Sequence, residues 1–433
     1  MLTRIEVDGF KNLLGFSAEF GPFTCIAGPN AVGKSNLFDA IEFLSLLADL
    51  PVKDAAKRIR GAERGIRDLF WADGHTRADT ISFAAELVLP ETVSDEFGTA
   101  VELRTNLVRY ELQLRYVQPD ELPAPERGLT GQLRVVHESI AAVPRSQYLT
   151  TFRFPQREAL LTPRFADADV LLGSTGGALP RTTVSVSATA AEGAWLAVRQ
   201  ELRSWRRVAL HPDAMREVAT FDQIDEPMGT DGSGLAATIY RLAHTGNNDP
   251  DAVYAELASW LSAMTPVERL SVDRDDKNRR LTLEVVTKRD GLLPAAALSD
   301  GSLRFLALAC LALEARPGLV CIDEAENGVH PATIEDLVSL LHRLASATRT
   351  DVDETGGIQQ VIINTHSPVV IRSVHQHDPA ELLVARTIAT RGPDDAEAWA
   401  LRLRPLVGTW REDSQSPGVG ISSIAPYLAA RPT

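Results

Sequence analysis

The chain has 433 residues, beyond the size at which one hydrophobic core usually keeps growing, so we expect two or three packed units. Hydrophobic residues make up 44% and charged residues 24%, as in soluble globular proteins, and the sequence contains no apolar run long enough to cross a bilayer. The net charge of −14 argues against a protein whose whole surface binds nucleic acid, so any DNA contact must be local or come from a partner.

The N-terminal half alternates between strand and helix patterns. Helical spacing predicts a helix over 36–50, which Pro51 closes. The proline-rich stretch 119–127 predicts an exposed loop, and the small residues of 172–190 predict a mobile segment. The long alternating stretches favour an antiparallel sheet. The predicted strands are 2–7, 16–20, 23–27, 80–89, 101–117 and 132–137.

The C-terminal half has stronger helical patterns and two short buried strands. Charged residues at 275–278 mark the tip of a hairpin over 270–287. The predicted helices are 235–244, 251–264, 302–315 and 332–348, and the buried strands are 318–322 and 360–364.

The start of the chain lacks the basic-then-apolar pattern of a signal peptide. Its three cysteines, Cys25, Cys310 and Cys321, stand in apolar contexts without metal-ligand spacing. We therefore expect buried free thiols in a cytoplasmic protein.

Residues 28–35 read GPNAVGKS, the G-x-x-x-x-G-K-[ST] pattern of a phosphate-binding loop. Glycines allow the backbone to wrap a phosphate group, and the predicted strand and helix on either side supply the required context. Lys34 would reach the β- and γ-phosphates of ATP and Ser35 would ligate Mg²⁺, whereas the alternative is a chance glycine turn before a helix. The predicted nucleotide-binding residues here are Gly28, Asn30, Gly33, Lys34, Ser35 and Asn36.

A second motif, GLVCIDE at 318–324, places two acids at the end of an apolar strand. Neighbouring residues of a strand point to opposite faces, so the two acids should have different roles. Asp323 would hold Mg²⁺, and Glu324 would polarise the attacking water as general base. The alternative is a helix N-cap with an acidic first turn.

Two further segments carry polar residues that could contact the nucleotide. In ALSDGSLR at 297–304, Ser299 and the backbone of Gly301 would form a second anion site at a helix N-terminus, unless the segment is an ordinary cap. In VIINTHSP at 361–368, His366 follows a buried strand and could contact the γ-phosphate or the water, although such a histidine is more often structural.

These motifs, in this order, resemble the ABC-type ATPase heads of the RecF and SMC class. The likeness extends to the bacterial defence ATPases related to the overcoming-lysogenization-defect proteins. It rests on GFKNL at 9–13, GPNAVGKSN at 28–36, LSDGS at 298–302, CIDEAENGVHP at 321–331 and NTHSP at 364–368. The resemblance implies an α/β P-loop fold of ABC-head type: a mixed sheet, an antiparallel β subdomain and a helical lobe.

The resemblance also implies two heads that pair head to tail around two ATP molecules. Lys34, Ser35, Asp323, Glu324 and His366 would then act within one chain. Ser299 and Gly301 would act across the interface, and 326–330 would couple the two sites.

The sequence departs from the family pattern at several points. Asp300 stands where glycine is usual and Ser302 where glutamine is common, and the stretch between Ser35 and Leu112 contains no glutamine to ligate Mg²⁺. The coiled-coil arms of SMC proteins are absent from the sequence. The stretch after His366 is too short for the Toprim nuclease fused to some relatives, so we expect any effector on a separate chain.

We therefore predict an ATPase that dimerises around ATP and controls a partner effector or nuclease, for instance in phage defence, without a membrane role. The alternatives are a RecF-like clamp that binds DNA, which the net charge does not support, and a nucleotide-binding scaffold with little turnover. We divide the chain into an N-terminal part of the ATPase lobe (1–140), an insertion that the patterns do not interpret (141–205), a helical signature lobe (206–317) and a C-terminal ATPase part (318–433).

Overall fold

The computed structural model describes residues 1–73, 75–122, 130–155, 170–246, 248–287, 291–314, 316–345, 359–392, 397–413 and 416–429. Its strands are β1 (Leu2–Asp8), β2 (Phe16–Glu19), β3 (Phe23–Ala27), β4 (Thr80–Val88), β5 (Thr92–Ser94), β6 (Ala100–Glu102), β7 (Leu107–Val117), β8 (Gln132–Ala142), β9 (Leu171–Leu179), β10 (Arg206–Val208), β11 (Ala219–Thr220), β12 (Val267–Asp275), β13 (Arg280–Thr287), β14 (Gly291–Pro294), β15 (Gly318–Asp323), β16 (Gln359–Thr365), β17 (Leu382–Arg391) and β18 (Glu397–Pro405).

The helices are α1 (Lys34–Leu47), α2 (Val52–Arg58), α3 (Arg145–Thr151), α4 (Thr183–Val186), α5 (Gly193–Arg203), α6 (Pro212–Arg216), α7 (Leu235–His244), α8 (Pro250–Leu261), α9 (Asp300–Glu314), α10 (Ile334–Leu344), α11 (Pro368–His377) and α12 (Ala425–Ala429). None of these helices is long and apolar enough to span a membrane.

Two six-stranded sheets organise the described residues. The first has the order β2-β1-β4-β7-β8-β9 and is antiparallel throughout. The second has the order β10-β15-β16-β3-β17-β18, in which the first five strands are parallel and β18 runs antiparallel to β17. A smaller sheet is built from β11 to β14. The fold is therefore the predicted α/β P-loop type, with a mixed sheet, an antiparallel subdomain and a helical lobe.

The mixed sheet is buried on both faces. Alternate residues of β3 enter different cores, since Ile26 packs with the antiparallel sheet and α1, whereas Cys25 and Ala27 pack with the helices of the other face. Strand β15 divides in the same way between Cys321 and Ile322. Burial on both faces explains why these strands are apolar runs rather than alternating patterns. All three cysteines are buried and free, as expected.

Several predicted elements have different bounds in the structure. The stretch 101–117 is split, because β6 pairs with β5 in a separate hairpin before β7 begins. The predicted helix 332–348 begins as a 3-10 turn at Pro331–Thr333 and continues as α10, and its end at 346–348 lies outside the described residues. The same holds for 123–127 of the predicted proline-rich loop.

The small-residue stretch 172–190 is the clearest difference. It contains the edge strand β9, which pairs with β8, and the short helix α4, neither of which the sequence patterns predicted. Backbone hydrogen bonds form a strand from glycine and serine as well as from β-branched residues. A Cβ at Gly173 would lie 2.6 Å from the Trp195 ring nitrogen, so the small residue makes room for packing.

Candidate nucleotide-binding site

The motifs at 28–35, 318–324 and 361–368 meet at the carboxyl edge of the mixed sheet. The phosphate-loop sequence follows β3, Asp323 ends β15, and Thr365 ends β16, which lies between these two strands. The Gly28 amide donates to the Thr365 carbonyl at 3.2 Å. This is the edge at which open α/β sheets place their ligands.

Glycine is required at both ends of the loop. Gly33 has φ +103°, and a Cβ there would lie 2.1 Å from the Asn12 side-chain nitrogen. A Cβ at Gly28 would lie 2.9 Å from the Ala385 carbonyl oxygen. The Asn12 amide donates to the Val32 carbonyl at 3.0 Å, so Asn12 fixes the loop.

Lys34 is the buried cation of the site. It is 6% exposed, and its Nζ donates to the carbonyl oxygens of Gly28 (2.6 Å) and Pro29 (2.8 Å). Burial lowers the pKa of Lys34, whereas the nearby carboxylates of Glu324 and Asp323 act in the opposite direction. The ammonium group therefore lies within the loop, bound to weak neutral acceptors that a phosphate oxygen can replace.

A hydroxyl and a carboxylate meet where a divalent cation would be held. The Ser35 hydroxyl lies 3.4 Å from Asp323 Oδ1, and the Asn364 amide donates to the same oxygen at 2.5 Å. Mg²⁺ prefers hard oxygen ligands and usually binds through one or two protein groups and phosphate oxygens. The residues present therefore fit the ion.

Glu324 is held in a strained backbone conformation with φ +46°. Non-glycine residues in this region cost free energy and cluster at functional sites. One carboxylate oxygen lies 2.9 Å from His366 Nδ1, and the other accepts a hydrogen bond from the Asn327 amide at 2.9 Å. The structure thus brings together the predicted base and the predicted histidine.

A network of charged side chains that the motifs did not predict holds Asp323 in place. Arg207 on β10 donates to Asp323 Oδ2 from Nε (2.8 Å) and Nη2 (2.6 Å), and its Nη1 donates to the fully buried Asp39 of α1. Asp39 also pairs with Lys11 (2.5 Å) and Arg60 (2.9 Å). Burial alone would raise the pKa of Asp39, but the hydrogen bond and charge of Lys11, with the other two cations, hold this pKa below its usual value.

The resulting cavity has a volume of about 360 Å³. Its lining includes most of the predicted nucleotide-binding residues together with the exposed cation Arg60. The lining residues are Asn30, Ala31, Gly33, Lys34, Ser35, Asn36, Arg60, Glu324 and Asn364. Gly28, Asp323 and His366 lie behind or beside this lining, in contact with it.

The signature segment, which is ALSDGSLR at 297–304, lies outside this cavity. Ser299 is exposed, and its hydroxyl lies 2.8 Å from that of Ser302 at the start of α9. Gly301 is buried against the loop after Asp323, because a Cβ there would lie 2.1 Å from the Gly328 carbonyl oxygen. Arg304 donates to the Asn327 carbonyl at 2.7 Å. Ser299 and Gly301 are therefore not in the phosphate-loop cavity of their own chain, but Gly301 contacts the loop that holds Glu324.

Within the loop 326–330, the two end residues have opposite surroundings. Glu326 is buried and accepts a short hydrogen bond from the Thr365 hydroxyl, and burial raises its pKa. His330 is exposed and caps the following turn by accepting from the Ala332 amide at 3.2 Å. The loop is thus fixed at one end to the strand that leads to His366.

Sequence reasoning missed Lys11, Asp39, Arg60, Arg207 and Asn364. Lys11 lies within the GFKNL segment, which carried the family resemblance but no assigned role. Arg207 had no such signal, because it lies on a strand of three residues outside every motif.

The fold and this site define a P-loop ATPase of the ABC-head type. The chain belongs to the family AAA_21, described as "AAA domain, putative AbiEii toxin, Type IV TA system", whose model matches residues 23–125 and 251–372, more than half of the chain.

Curated relatives match over short stretches. Structural maintenance of chromosomes protein 1B of Homo sapiens is 41% identical over 68 residues, which is 15% of this chain and 6% of that protein. Structural maintenance of chromosomes protein 1 of Schizosaccharomyces pombe is 51% identical over 45 residues, 10% of this chain and 4% of that protein. The chain thus matches only a small part of the length of these relatives.

Solved structures are similar over almost their whole length. A crystal structure of the SmcHead bound to the C-winged helix domain of ScpA is 15% identical, with a TM-score of 0.48, covering 92% of this chain and 97% of that one. The SMC head domain from Thermotoga maritima is 14% identical, with a TM-score of 0.40, covering 94% and 98%.

Proposed function

We propose that this protein is a magnesium-dependent ATP switch: two copies pair head to tail around two ATP molecules, and slow hydrolysis releases them. The proposal rests on the family and on the site geometry. Such a protein transmits its nucleotide state to a partner rather than supplying a metabolic product.

Each contact of the site suggests one role. Lys34 exchanges its two loop carbonyls for phosphate oxygens, and the loop amides from Asn30 to Asn36 surround the same phosphates. Ser35 and Asp323 would hold Mg²⁺, which neutralises phosphate charge when bound.

Glu324 is suited to accept a proton from the attacking water. Its carboxylate borders the cavity, accepts a hydrogen bond from the Asn327 amide, and lies 2.9 Å from His366 Nδ1. His366 therefore acts on the water through Glu324, because it orients the Glu324 carboxylate.

One observation carries the dimer: Ser299 is exposed and lies outside the lining of the phosphate-loop cavity. Ser299 caps the N-terminus of α9, and a helix N-terminus can bind an anion, but the phosphate loop of its own chain lies elsewhere. A second copy related by a two-fold axis would bring Ser299 to the partner's loop and complete both sites at once.

A mixing experiment tests the shared site. Lys34→Ala disables the loop, and Ser299→Arg blocks the signature, so each variant alone should lose ATP turnover. Mixed in equal amounts they should regain about one quarter of wild-type turnover, since half of random pairs are mixed and each holds one intact site. A mixture that stays as inactive as its components would show that Ser299 does not act across an interface.

The proposed output is control of a separate effector chain. The family description names a toxin of a toxin–antitoxin system, which is compatible with a role in phage defence. An adjacent gene that encodes a nuclease would support this assignment. Loss of phage protection in both Lys34→Ala and a deletion of that gene would test it.

A DNA clamp is the second candidate, because a local cluster of arginines exists despite the acidic total charge. Arg4, Arg402 and Arg404 line a cavity of about 220 Å³ next to Glu19, on the side of β2 and β18. DNA binding through these arginines would weaken steeply with salt. Gel-shift titrations at two salt concentrations, with and without ATP, decide between a clamp and a protein-directed switch.

A further inference from the structure

Three side chains that can ligate a metal converge away from the nucleotide site. His342 lies in the last turn of α10, His377 ends α11, and Glu381 follows in a 3-10 turn. His342 Nε2 is 2.8 Å and His377 Nδ1 is 3.4 Å from Glu381 Oε2, and all three ligand atoms lie within 4.8 Å of one another. His342 and Glu381 are mostly buried, whereas His377 is half exposed.

The polar contacts of His342 require a proton or a metal ion between its ring and Glu381. Its Nδ1 lies 2.8 Å from the Val338 carbonyl oxygen, which only accepts, so Nδ1 carries the hydrogen. In the neutral ring, Nε2 is then a lone pair, yet it faces the carboxylate of Glu381 at 2.8 Å. Two lone pairs at this distance repel unless a proton or a metal ion lies between them. A carbonyl on the far nitrogen is also the usual arrangement around a metal-bound histidine.

The two helix ends favour positive charge at this point. Helices α10 and α11 both end here, and the carboxyl end of a helix carries partial negative charge. The buried Arg411 interacts electrostatically with Glu381, and its positive charge acts against a bound cation. Arg411 is directed to the Thr24 hydroxyl (2.8 Å) and the Trp410 ring, so its guanidinium has partners apart from the carboxylate.

We propose that His342, His377 and Glu381 bind one divalent transition-metal ion, with Zn²⁺ the best match. Two imidazoles and one carboxylate are a common ligand set for zinc, which completes a tetrahedron with a water molecule or a further donor. The half-exposed His377 leaves that fourth position open to solvent.

The position of the site indicates a structural role. The ring of His342 stacks on His377 (3.8 Å between centroids) and makes a tilted contact with Phe23 (4.3 Å), the first residue of β3. Helix α11 begins just after His366, and α10 follows the loop that holds Glu324. The metal ties together the far ends of the two helices that follow the catalytic motifs, so it stabilises the fold without entering the chemistry.

Zinc binding to the metal-free full chain tests the proposal. By calorimetry at pH 7.5, wild type should bind one Zn²⁺ per chain with a Kd below about 10 µM. Cobalt should give the absorption bands of a tetrahedral ion. His377→Ala and Glu381→Gln should each weaken binding by about tenfold or more. His375→Ala is the matched control, since His375 lies in the same helix outside the cluster and should bind as wild type does.

Thermal unfolding gives a readout that is independent of activity. Zinc should raise the Tm of wild type and of His375→Ala by several degrees and leave both cluster variants unchanged, because a ligand stabilises only the state that binds it. Absence of stoichiometric zinc binding to folded wild type would overturn the proposal and leave an imidazolium–carboxylate pair. Equal loss of binding in His375→Ala would overturn the assignment of the ligands.

Discussion

Arg207 donates two hydrogen bonds to one carboxylate oxygen of Asp323, at 2.8 and 2.6 Å, from a strand 116 residues away in sequence. The same guanidinium reaches Asp39 of the helix that follows the phosphate loop. One side chain therefore connects the strand that presents Asp323 to the helix that presents Ser35.

Replacing Arg207 with alanine should lower the free energy of unfolding by about 2 kcal/mol, because Asp323 loses its charged partner while Asp39 keeps Lys11 and Arg60. Arg207→Lys should recover little, since an ammonium cannot reproduce the fork of donors. Urea unfolding measures both. The exposed pair of Arg203 with Asp49 supplies the control, as Arg203→Ala should cost below about 1 kcal/mol. Equal losses for both alanine variants would contradict the network.

The contact between Gly301 and Gly328 predicts a steric effect on turnover. In Gly301→Ala, the new Cβ would lie 2.1 Å from the Gly328 carbonyl oxygen and displace the loop that orients Glu324. We expect destabilisation of about 1–3 kcal/mol and slower phosphate release. Gly65→Ala is the control, because a Cβ there meets nothing within 4 Å. Unchanged turnover in Gly301→Ala would show that the contact between Gly301 and Gly328 does not affect the position of Glu324.

His366→Ala tests whether the histidine acts through Glu324. The variant should reduce kcat by about tenfold to a hundredfold while leaving ATP binding nearly unchanged, because His366 orients the carboxylate and does not line the cavity. Phosphate release measures the first and a fluorescent ATP analogue the second. A large loss of nucleotide affinity would instead place His366 on the phosphates.

Glu19 predicts a pH dependence of stability. Burial raises its pKa to about 7, and its Oε2 has no hydrogen-bond partner in the described residues. A raised folded pKa means that the stability contribution is complete below the unfolded pKa of about 4.5 and is lost as pH rises through about 7. The free energy of unfolding of Glu19→Gln should thus exceed that of wild type by about 1–3 kcal/mol at pH 8 and nearly equal it at pH 4.

Urea unfolding at the two pH values decides the point. The exposed Glu96→Gln should leave the pH profile unchanged. A Glu19→Gln profile parallel to that of wild type would show that folding does not raise the pKa of Glu19.

The sequence predicted the elements whose determinants are local. Strand β3 has the predicted bounds, and the predicted acids Asp323 and Glu324 stand where the buried apolar run of β15 stops. The motif GPNAVGKS was readable because its geometry requires glycine and lysine at fixed spacing.

The sequence did not predict what depends on distant contacts. Arg207 stands on a short strand whose place beside β15 is set by the sheet, so its role appears only once Asp39 and Asp323 are close together. Strand β9 was missed because its pairing with β8 depends on backbone hydrogen bonds, to which side-chain patterns give no guide.

The mass of the Glu324→Gln variant in the presence of ATP and Mg²⁺ tests the central claim most directly. Glutamine keeps the size of the side chain and removes the base, so ATP should bind without being hydrolysed and hold two chains together. Light scattering coupled to gel filtration should give a dimer of the 47.1 kDa chain with ATP, and Glu324→Gln combined with Lys34→Ala should stay monomeric. A monomeric Glu324→Gln protein that demonstrably binds ATP would contradict the shared site.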